Sequence, residues 1–167
     1  MMHRRILLIG QAPGPNTDPA LPLYPYSRTS TGGKLQELMD LSRLQYLDLF
    51  DRINLLNKFP GRQARDDRFP MREAKIAASA IKPLLHSRTV VLVGRNVANA
   101  FELEADFHDW MEWPLNEGGV CLVAVVPHPS GRNHWYNQKK NKQAARRFWR
   151  TTIKNLVEDE ESVLSFV

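Results

Sequence analysis

The chain contains two stretches of the same design, each an apolar run that ends in a loop rich in glycine and proline. Residues 6–15 read ILLIGQAPGP, and residues 120–131 read VCLVAVVPHPSG. Such a run followed by Gly/Pro punctuation predicts a buried strand and the loop that leaves it. In an α/β sheet these loops lie at the carboxyl ends of the strands, where ligands bind. We therefore expect the loops after Ile9 and Val126 to line one pocket.

A third segment, residues 53–61 (INLLNKFPG), follows another apolar stretch and brings Asn54 to the same edge. The Asn54 carboxamide offers both a donor and an acceptor, so it could pair with the amide edge of a pyrimidine. Asparagine is also a common turn or capping residue. The segment alone leaves these two interpretations open.

The remaining pattern alternates strands with helices. We predict strands over residues 4–9, 47–56, 89–93 and 120–126. Helices are predicted from Ser30 or Thr31 to Ser42, over 73–85 with a bend at Pro83, over 96–103 and over about 137–157. Residues 11–30 and 58–70 are predicted to be loops. Residues 104–119 are predicted to pack as a cover on the core. Alternating elements predict a three-layer α/β/α fold around a four-stranded, mainly parallel sheet. We expect a single domain over residues 1–167.

Composition and charge narrow the class of protein. Hydrophobic residues make up 43% and charged residues 25%, as in an ordinary globular protein. The net charge of +5 suggests a polyanionic partner. The single cysteine, Cys121, lies in an apolar run and should pack as a small hydrophobe in a reducing compartment. With no stretch long enough for a signal peptide or membrane span, we expect a cytoplasmic monomer.

Both glycine-containing loops hold groups suited to catalysis. Gly10 and Gly14 allow close approach of a ligand, so the amides of Gln11 and Ala12 could donate to a bound oxygen; a simple tight turn is the alternative. His128, between two prolines, could stabilise a developing anion or serve as a structural hydrogen bonder. We expect no metal, because His128 and His134 have no third ligand nearby.

Aromatic and basic side chains surround these loops. Tyr24 and Tyr26 could stack on a base or pack their own loop onto the domain. Residues 131–140 (GRNHWYNQKK) interleave basic and aromatic side chains, a mixture suited to phosphates and exposed bases. A solvated helix start with Trp135 turned inward is the alternative.

In this order, the three segments resemble the uracil-DNA glycosylase superfamily, especially its iron-sulfur-containing family 4 branch. That branch has Gly-Glu-Ala-Pro-Gly, then an asparagine followed by a stretch with Lys and Pro, then His-Pro-Ser. Here the matching residues are Gly10 to Gly14, Asn54 to Pro60, and His128 to Ser130. The stretch from Pro25 to Leu35 is similar to the part of the family with a base-stacking aromatic and a helix.

The resemblance implies hydrolysis of the N-glycosidic bond of uracil, or a related modified pyrimidine, flipped out of single- or double-stranded DNA. It implies that Asn54 reads the base, Tyr26 stacks on it and His128 stabilises the departing anion. Backbone groups of Gln11 and Ala12 would fix the base and the water, within a loop shaped by Gly10, Pro13 and Gly14. The implied DNA contacts are Ser130, Gly131, Arg132, His134 and Trp135.

Two departures from the family pattern stand out. Gln11 and Ala12 carry no carboxylate, so the group that activates water is not identified, and Asp18 or Asp51 could replace it. The four cluster cysteines are absent, so we expect no iron-sulfur cluster and no other cofactor. Two further functions therefore stay open: a non-catalytic module that binds DNA or a base, and an enzyme acting on free nucleosides or nucleotides.

Overall fold

The computed structural model describes residues 5–63, 66–116, 118–130 and 133–164. The strands are β1 (Ile6–Gly10), β2 (Phe50–Asn54), β3 (Arg62–Gln63), β4 (Asp66–Asp67), β5 (Thr89–Val93), β6 (Met111–Pro114) and β7 (Val120–Val126). The α-helices are α1 (Thr31–Met39), α2 (Arg43–Leu49), α3 (Met71–Ile81), α4 (Arg95–Ala100) and α5 (Lys139–Leu164). Two 3₁₀ turns, Lys82–Leu85 and His134–Asn137, follow α3 and precede α5.

The main sheet has the strand order β2-β1-β5-β7-β6, and only β6 runs antiparallel to its neighbour. The sheet has a hydrophobic core on each face, and alternate side chains of β1 point into one core or the other, because successive side chains of a strand point to opposite faces. Leu7 and Ile9 pack with α3 and α4, whereas Ile6 and Leu8 pack with α1, α2 and α5. The helices thus cover both faces, and the predicted three-layer α/β/α class is confirmed.

Several predicted elements agree closely with the structure. The strands over 89–93 and 120–126 are confirmed to the residue. Ser30 caps α1, its hydroxyl accepting a hydrogen bond from the Gly33 amide at 3.0 Å. Cys121 is buried in the core, and burial raises the pKa of its thiol to about 11.

Other predictions were wrong in detail. The sheet has five strands rather than four, because Met111–Pro114 adds an antiparallel edge strand too short for its alternation to stand out. Residues 47–49 are helical, because Ser42 and Gln45 form a capping box that starts α2. Ser42 therefore does not belong to α1. The predicted loop over 58–70 contains the small hairpin of β3 and β4, and α5 continues well beyond residue 157.

No helix in the described part of the chain is both long and apolar enough to cross a bilayer.

Candidate active site at the carboxyl edge of the sheet

Four neighbouring strands end at one edge of the sheet and bring the predicted site loops together. Gly10 ends β1 beside its partner Asn54, the last residue of β2. Gly94 follows β5 and donates its amide to the Val126 carbonyl at 2.8 Å. His128 lies two residues beyond that carbonyl. The three predicted segments therefore meet at this edge.

On the β2 side, Asn54 lies directly over Gly10. A Cβ atom at Gly10 would lie 2.5 Å from Asn54 Oδ1 and 3.0 Å from Leu23 Cδ2, so only glycine leaves this arrangement undisturbed. The Leu55 amide donates to the Gly10 carbonyl at 3.0 Å and fixes the two strand ends together. Asn54 Oδ1 is buried and has no hydrogen-bond partner. Because buried polar atoms are nearly always paired, this unpaired oxygen is unusual and makes Asn54 a candidate binding residue.

Leu23 forms an apolar wall beside Gly10, a role that the sequence did not reveal. Its backbone has a positive φ of 51°, and its carbonyl accepts a hydrogen bond from the Tyr46 hydroxyl at 2.8 Å. Gly32 packs against the same carbonyl so closely that a Cβ there would overlap it. In the sequence, the one available sign of this close packing is the glycine pair Gly32-Gly33 at the start of α1.

The tyrosines predicted to stack on a base lie differently. Tyr26 is 79% exposed, and the guanidinium of Arg43 lies over its ring at 6.0 Å from the centroid. Tyr24 is half-buried. The contact with Gly10 is thus made by Leu23, and Tyr26 lies on the outer surface of the same loop.

On the β7 side, His128 and Gln11 lie together against Gly94. A Cβ at Gly94 would lie 3.2 Å from His128 Cβ and 3.4 Å from Gln11 Nε2. The Gln11 carbonyl accepts from the Leu56 amide at 3.0 Å, so its backbone is tied to β2 while its side chain reaches towards the imidazole. Next in the loop, Ala12 is half-buried and Pro13 is buried.

The imidazole of His128 is kept neutral by its surroundings. Burial lowers its pKa to about 4, with a further lowering by the Lys34 ammonium and an opposing effect of the Asp67 carboxylate. At neutral pH the ring therefore carries one N–H and no charge. Such a group can donate a hydrogen bond to an anion without bringing a counterion into the pocket.

The backbone around His128 is held by two side chains from the following turn. Asn133 Nδ2 donates to the His128 carbonyl at 2.8 Å, and Asn133 Oδ1 accepts from the Trp135 amide at 3.1 Å. The Tyr136 hydroxyl donates to the Pro127 carbonyl at 2.6 Å. The roles of Asn133 and Tyr136 in holding this loop could not be predicted from the sequence, because loop residues that hydrogen-bond across a turn leave no periodic pattern.

The predicted DNA-contacting residues occupy several environments. Ser130 is half-buried, and its carbonyl accepts from the Asn133 amide at 3.1 Å; His134 is exposed. The Trp135 ring packs inward against Phe107, His108 and Tyr136. Gly131 and Arg132 lie outside the described residues.

The carboxylates considered as substitutes for the missing acidic residue have partners of their own. Asp51 is three residues before the end of β2, and its oxygens contact Arg5 Nε at 3.0 Å and Arg88 Nη2 at 2.7 Å. The suggestion that Asp51 activates water is therefore wrong, because two guanidinium groups hold it away from the edge. Asp18 accepts from the Ala20 amide at 2.9 Å in an exposed turn.

The site gives no support for a metal or an iron-sulfur cluster. Within the described ranges, no group of three or more His, Cys, Asp or Glu side chains could hold a metal ion. An iron-sulfur cluster needs several thiolates, and the sole thiol, Cys121, is buried in the core. The residues present therefore do not fit such a cluster.

The chain is an α/β protein with a three-layer fold, and an unpaired amide oxygen and a neutral imidazole lie at the carboxyl edge of its sheet. The family model of the uracil DNA glycosylase superfamily matches residues 2–152, so the chain belongs to that superfamily. Its members are typically hydrolytic glycosylases that act on DNA. No curated protein sequence matches the chain.

Proposed function

We propose that the protein is a DNA glycosylase that hydrolyses the N-glycosidic bond of uracil, or of a related modified pyrimidine, flipped out of DNA. The observation that carries this proposal is the pair of groups at the sheet edge, Asn54 over the end of β1 and His128 beside the end of β5. The end of β1, at Gly10, lies between β2 and β5 in the sheet. A flipped pyrimidine ring placed there would have the carboxamide on one side and the imidazole on the other.

The two groups have distinct roles in the proposed reaction. The unpaired Asn54 carboxamide reads the amide edge of the flipped base, while Leu23 contacts its ring. As the C1′–N1 bond breaks, its electron pair leaves with the base, and the N–H of neutral His128 donates to the developing anion. One preorganised donor of this kind contributes about 3 kcal/mol to transition-state stabilisation.

Water completes the hydrolysis. Its oxygen bonds to C1′ of the sugar, and its proton is released and finally neutralises the base. Gln11 and Ala12 are the residues that would position this water. Because neither carries a carboxylate, we expect excision to be slow and to depend on electrostatic stabilisation of the leaving base.

The surrounding surface would hold the rest of the DNA. Ser130 and His134, with Gly131 and Arg132, are the proposed phosphate contacts. Tyr26, whose ring is exposed on the outer surface of its loop, is proposed to stack on a base of the DNA. Trp135, packed among aromatic rings, would support this segment from beneath.

The decisive experiment measures abasic sites in labelled oligonucleotides that contain one uracil, either single-stranded or paired with G or A. We expect excision by the native protein and its loss in Asn54→Asp and His128→Ala. Asn57→Asp, in the same loop, and His86→Ala, at the opposite edge of the sheet, are the matched controls. Unchanged excision in both site variants would show that the residue assignment is wrong.

A non-catalytic DNA-binding function is the second candidate, favoured by the missing carboxylate at Gln11 and Ala12. It predicts salt-sensitive DNA binding with no abasic product at any enzyme concentration. An enzyme acting on nucleosides would instead release free base from deoxyuridine without DNA.

A further inference from the structure

The outer face of α5 carries a continuous strip of positive charge. The first part of the helix holds seven basic residues, and no Asp or Glu occurs between residues 139 and 157. At 3.6 residues per turn the seven positions fall within about 160° of the circumference. We call this surface the α5 basic strip; it consists of Lys139, Lys140, Lys142, Arg146, Arg147, Arg150 and Lys154, all exposed.

The charges of the strip are largely unneutralised. Among ion pairs between described side chains, Lys154 alone of the seven takes part, contacting Glu158 at 3.8 Å. Glu37 of α1 and Asp40 at its C-terminal cap line one groove with Arg146 and Arg150, so acidic groups border the margin of the strip that faces α1. The strip ends at Lys154, where the acidic residues 158–161 begin.

Hydrogen bonds connect the start of the strip to the candidate site. Asn133 binds the His128 carbonyl and the Trp135 amide, as described above. The Trp135 carbonyl in turn accepts from Asn141 Nδ2 in the first turn of α5 at 2.9 Å. Lys139 and Lys140 therefore lie next to the segment that carries His128.

From there, the strip leads away from the carboxyl edge. Helix α1 starts beside Leu23 at the pocket, and its far end shares a groove with Arg150, Ile153 and Lys154 of α5. The two helices therefore run in the same direction down one face of the sheet. From Lys139 to Lys154 the strip is about 22 Å long at 1.5 Å per residue.

We propose that the α5 basic strip binds the phosphate backbone of a single-stranded segment flanking the target nucleotide. This inference rests on the proposed glycosylase function and gives it a strand preference. Bending a short duplex costs elastic free energy, so a duplex follows both the pocket edge and a helix that turns away from it only at that cost. A single strand bends freely, and its phosphates match a row of unpaired cations. The strip lacks exposed aromatic rings, so the contact is electrostatic and independent of sequence.

The test compares Arg147→Gln/Arg150→Gln with the equally charged control Arg72→Gln/Lys75→Gln on α3, on the other face of the sheet. Affinity is measured with short and long single strands, and with a long duplex, each holding one non-hydrolysable uracil nucleotide, over a range of salt. Two lost phosphate contacts should weaken binding of the long single strand on the order of tenfold at 0.1 M salt and lower the salt slope by about 1.4. The long-to-short affinity ratio should fall, whereas the control should leave it unchanged.

The outcomes separate this proposal from the proposed function. Equal losses for the duplex and the long single strand would overturn the strand preference, and no loss for either would overturn the strip as a DNA contact. In both cases uracil excision by the native protein would leave the glycosylase proposal standing. Equal losses for single-stranded RNA without uracil would make the strip a general polyanion surface and overturn its link to the substrate.

Discussion

The two halves of the candidate site are built in the same way but differ in electrostatics. In each, a strand-end glycine makes room for the polar side chain, and a tyrosine hydroxyl binds a loop carbonyl: Tyr46 to Leu23, and Tyr136 to Pro127. Burial raises the pKa of both hydroxyls, so both remain donors. Yet the Asn54 half presents an unpaired acceptor, whereas the other half presents a neutral imidazole. In the proposed reaction, base recognition and stabilisation of the leaving group therefore fall to different strands.

The strongest test of this division compares His128→Ala with Asn54→Ala. Loss of the imidazole removes a donor used in the transition state, so kcat should fall by about 10²–10³-fold with little change in KM. Loss of the carboxamide removes a contact made already in the bound state, so KM should rise by about tenfold. Single- and multiple-turnover excision assays give both constants. A fall in kcat of similar size in both variants would mean that the halves act as one unit.

The second test is the pH dependence of stability. The folded protein holds the His128 pKa at about 4, below the ordinary value of 6.5, so between these values the unfolded chain binds more protons. The resulting stabilisation is complete above pH 6.5 and is lost as the pH falls towards 4, by about 3 kcal/mol in total. Urea unfolding from pH 8 to pH 4 should show this loss in the native protein.

The matched variant for the pH test is His128→Gln, which cannot titrate. Its free energy of unfolding should fall less over the same range. Asn54 itself does not titrate, so Asn54→Ala should keep the native pH dependence. Identical curves for the native protein and His128→Gln would show that the imidazole is not buried as described.

The sequence predicted the ends of the strands better than it predicted the side chains that line the candidate site. Apolar runs ending in Gly10 and Pro127 defined strand ends, because β-branched residues followed by glycine or proline can form little else. Parallel strands then brought Asn54 and His128 to one edge without any knowledge of side-chain contacts. Leu23 and Tyr46, in contrast, meet across 23 residues of chain, and nothing in the local pattern of either residue indicates the other.

The same limit explains the errors in secondary structure. Met111–Pro114 is short and contains a proline, so its strand character comes from pairing with β7 rather than from its own sequence. The orientation of Trp135 was left open because its neighbours Phe107 and His108 come from a different part of the chain. Tertiary contacts, which local patterns do not record, decided both.

The third test adds a methyl group beside each polar side chain, with Gly10→Ala in the Asn54 half and Gly94→Ala in the His128 half. Gly94 has a φ of 107°, so Gly94→Ala introduces backbone strain of about 1–3 kcal/mol. The added methyl group also makes a close steric contact with the Cβ of His128. The nearest atoms that Gly10→Ala would meet belong to the side chains of Asn54 and Leu23, which can shift. We expect Gly94→Ala to lower thermal stability and kcat, and Gly10→Ala to raise KM with a smaller loss of stability. If Gly10→Ala changed kcat alone, Asn54 would not be the reader of the base.

The smallest expected effect distinguishes the two tyrosines. Tyr46→Phe and Tyr136→Phe each remove one hydrogen bond to a loop carbonyl, worth about 1 kcal/mol of stability. Equal losses of stability should accompany different kinetic effects, because Tyr46 holds the Leu23 wall of the base pocket and Tyr136 holds the segment that carries His128. Tyr46→Phe should relax discrimination between uracil and 5-substituted pyrimidines, and Tyr136→Phe should lower kcat for all of them equally. The prediction is contradicted if Tyr136→Phe relaxes discrimination while Tyr46→Phe lowers kcat, or if both variants lose discrimination. Either result would show that the two loops move together, and that the division of roles between the halves is limited to Asn54 and His128.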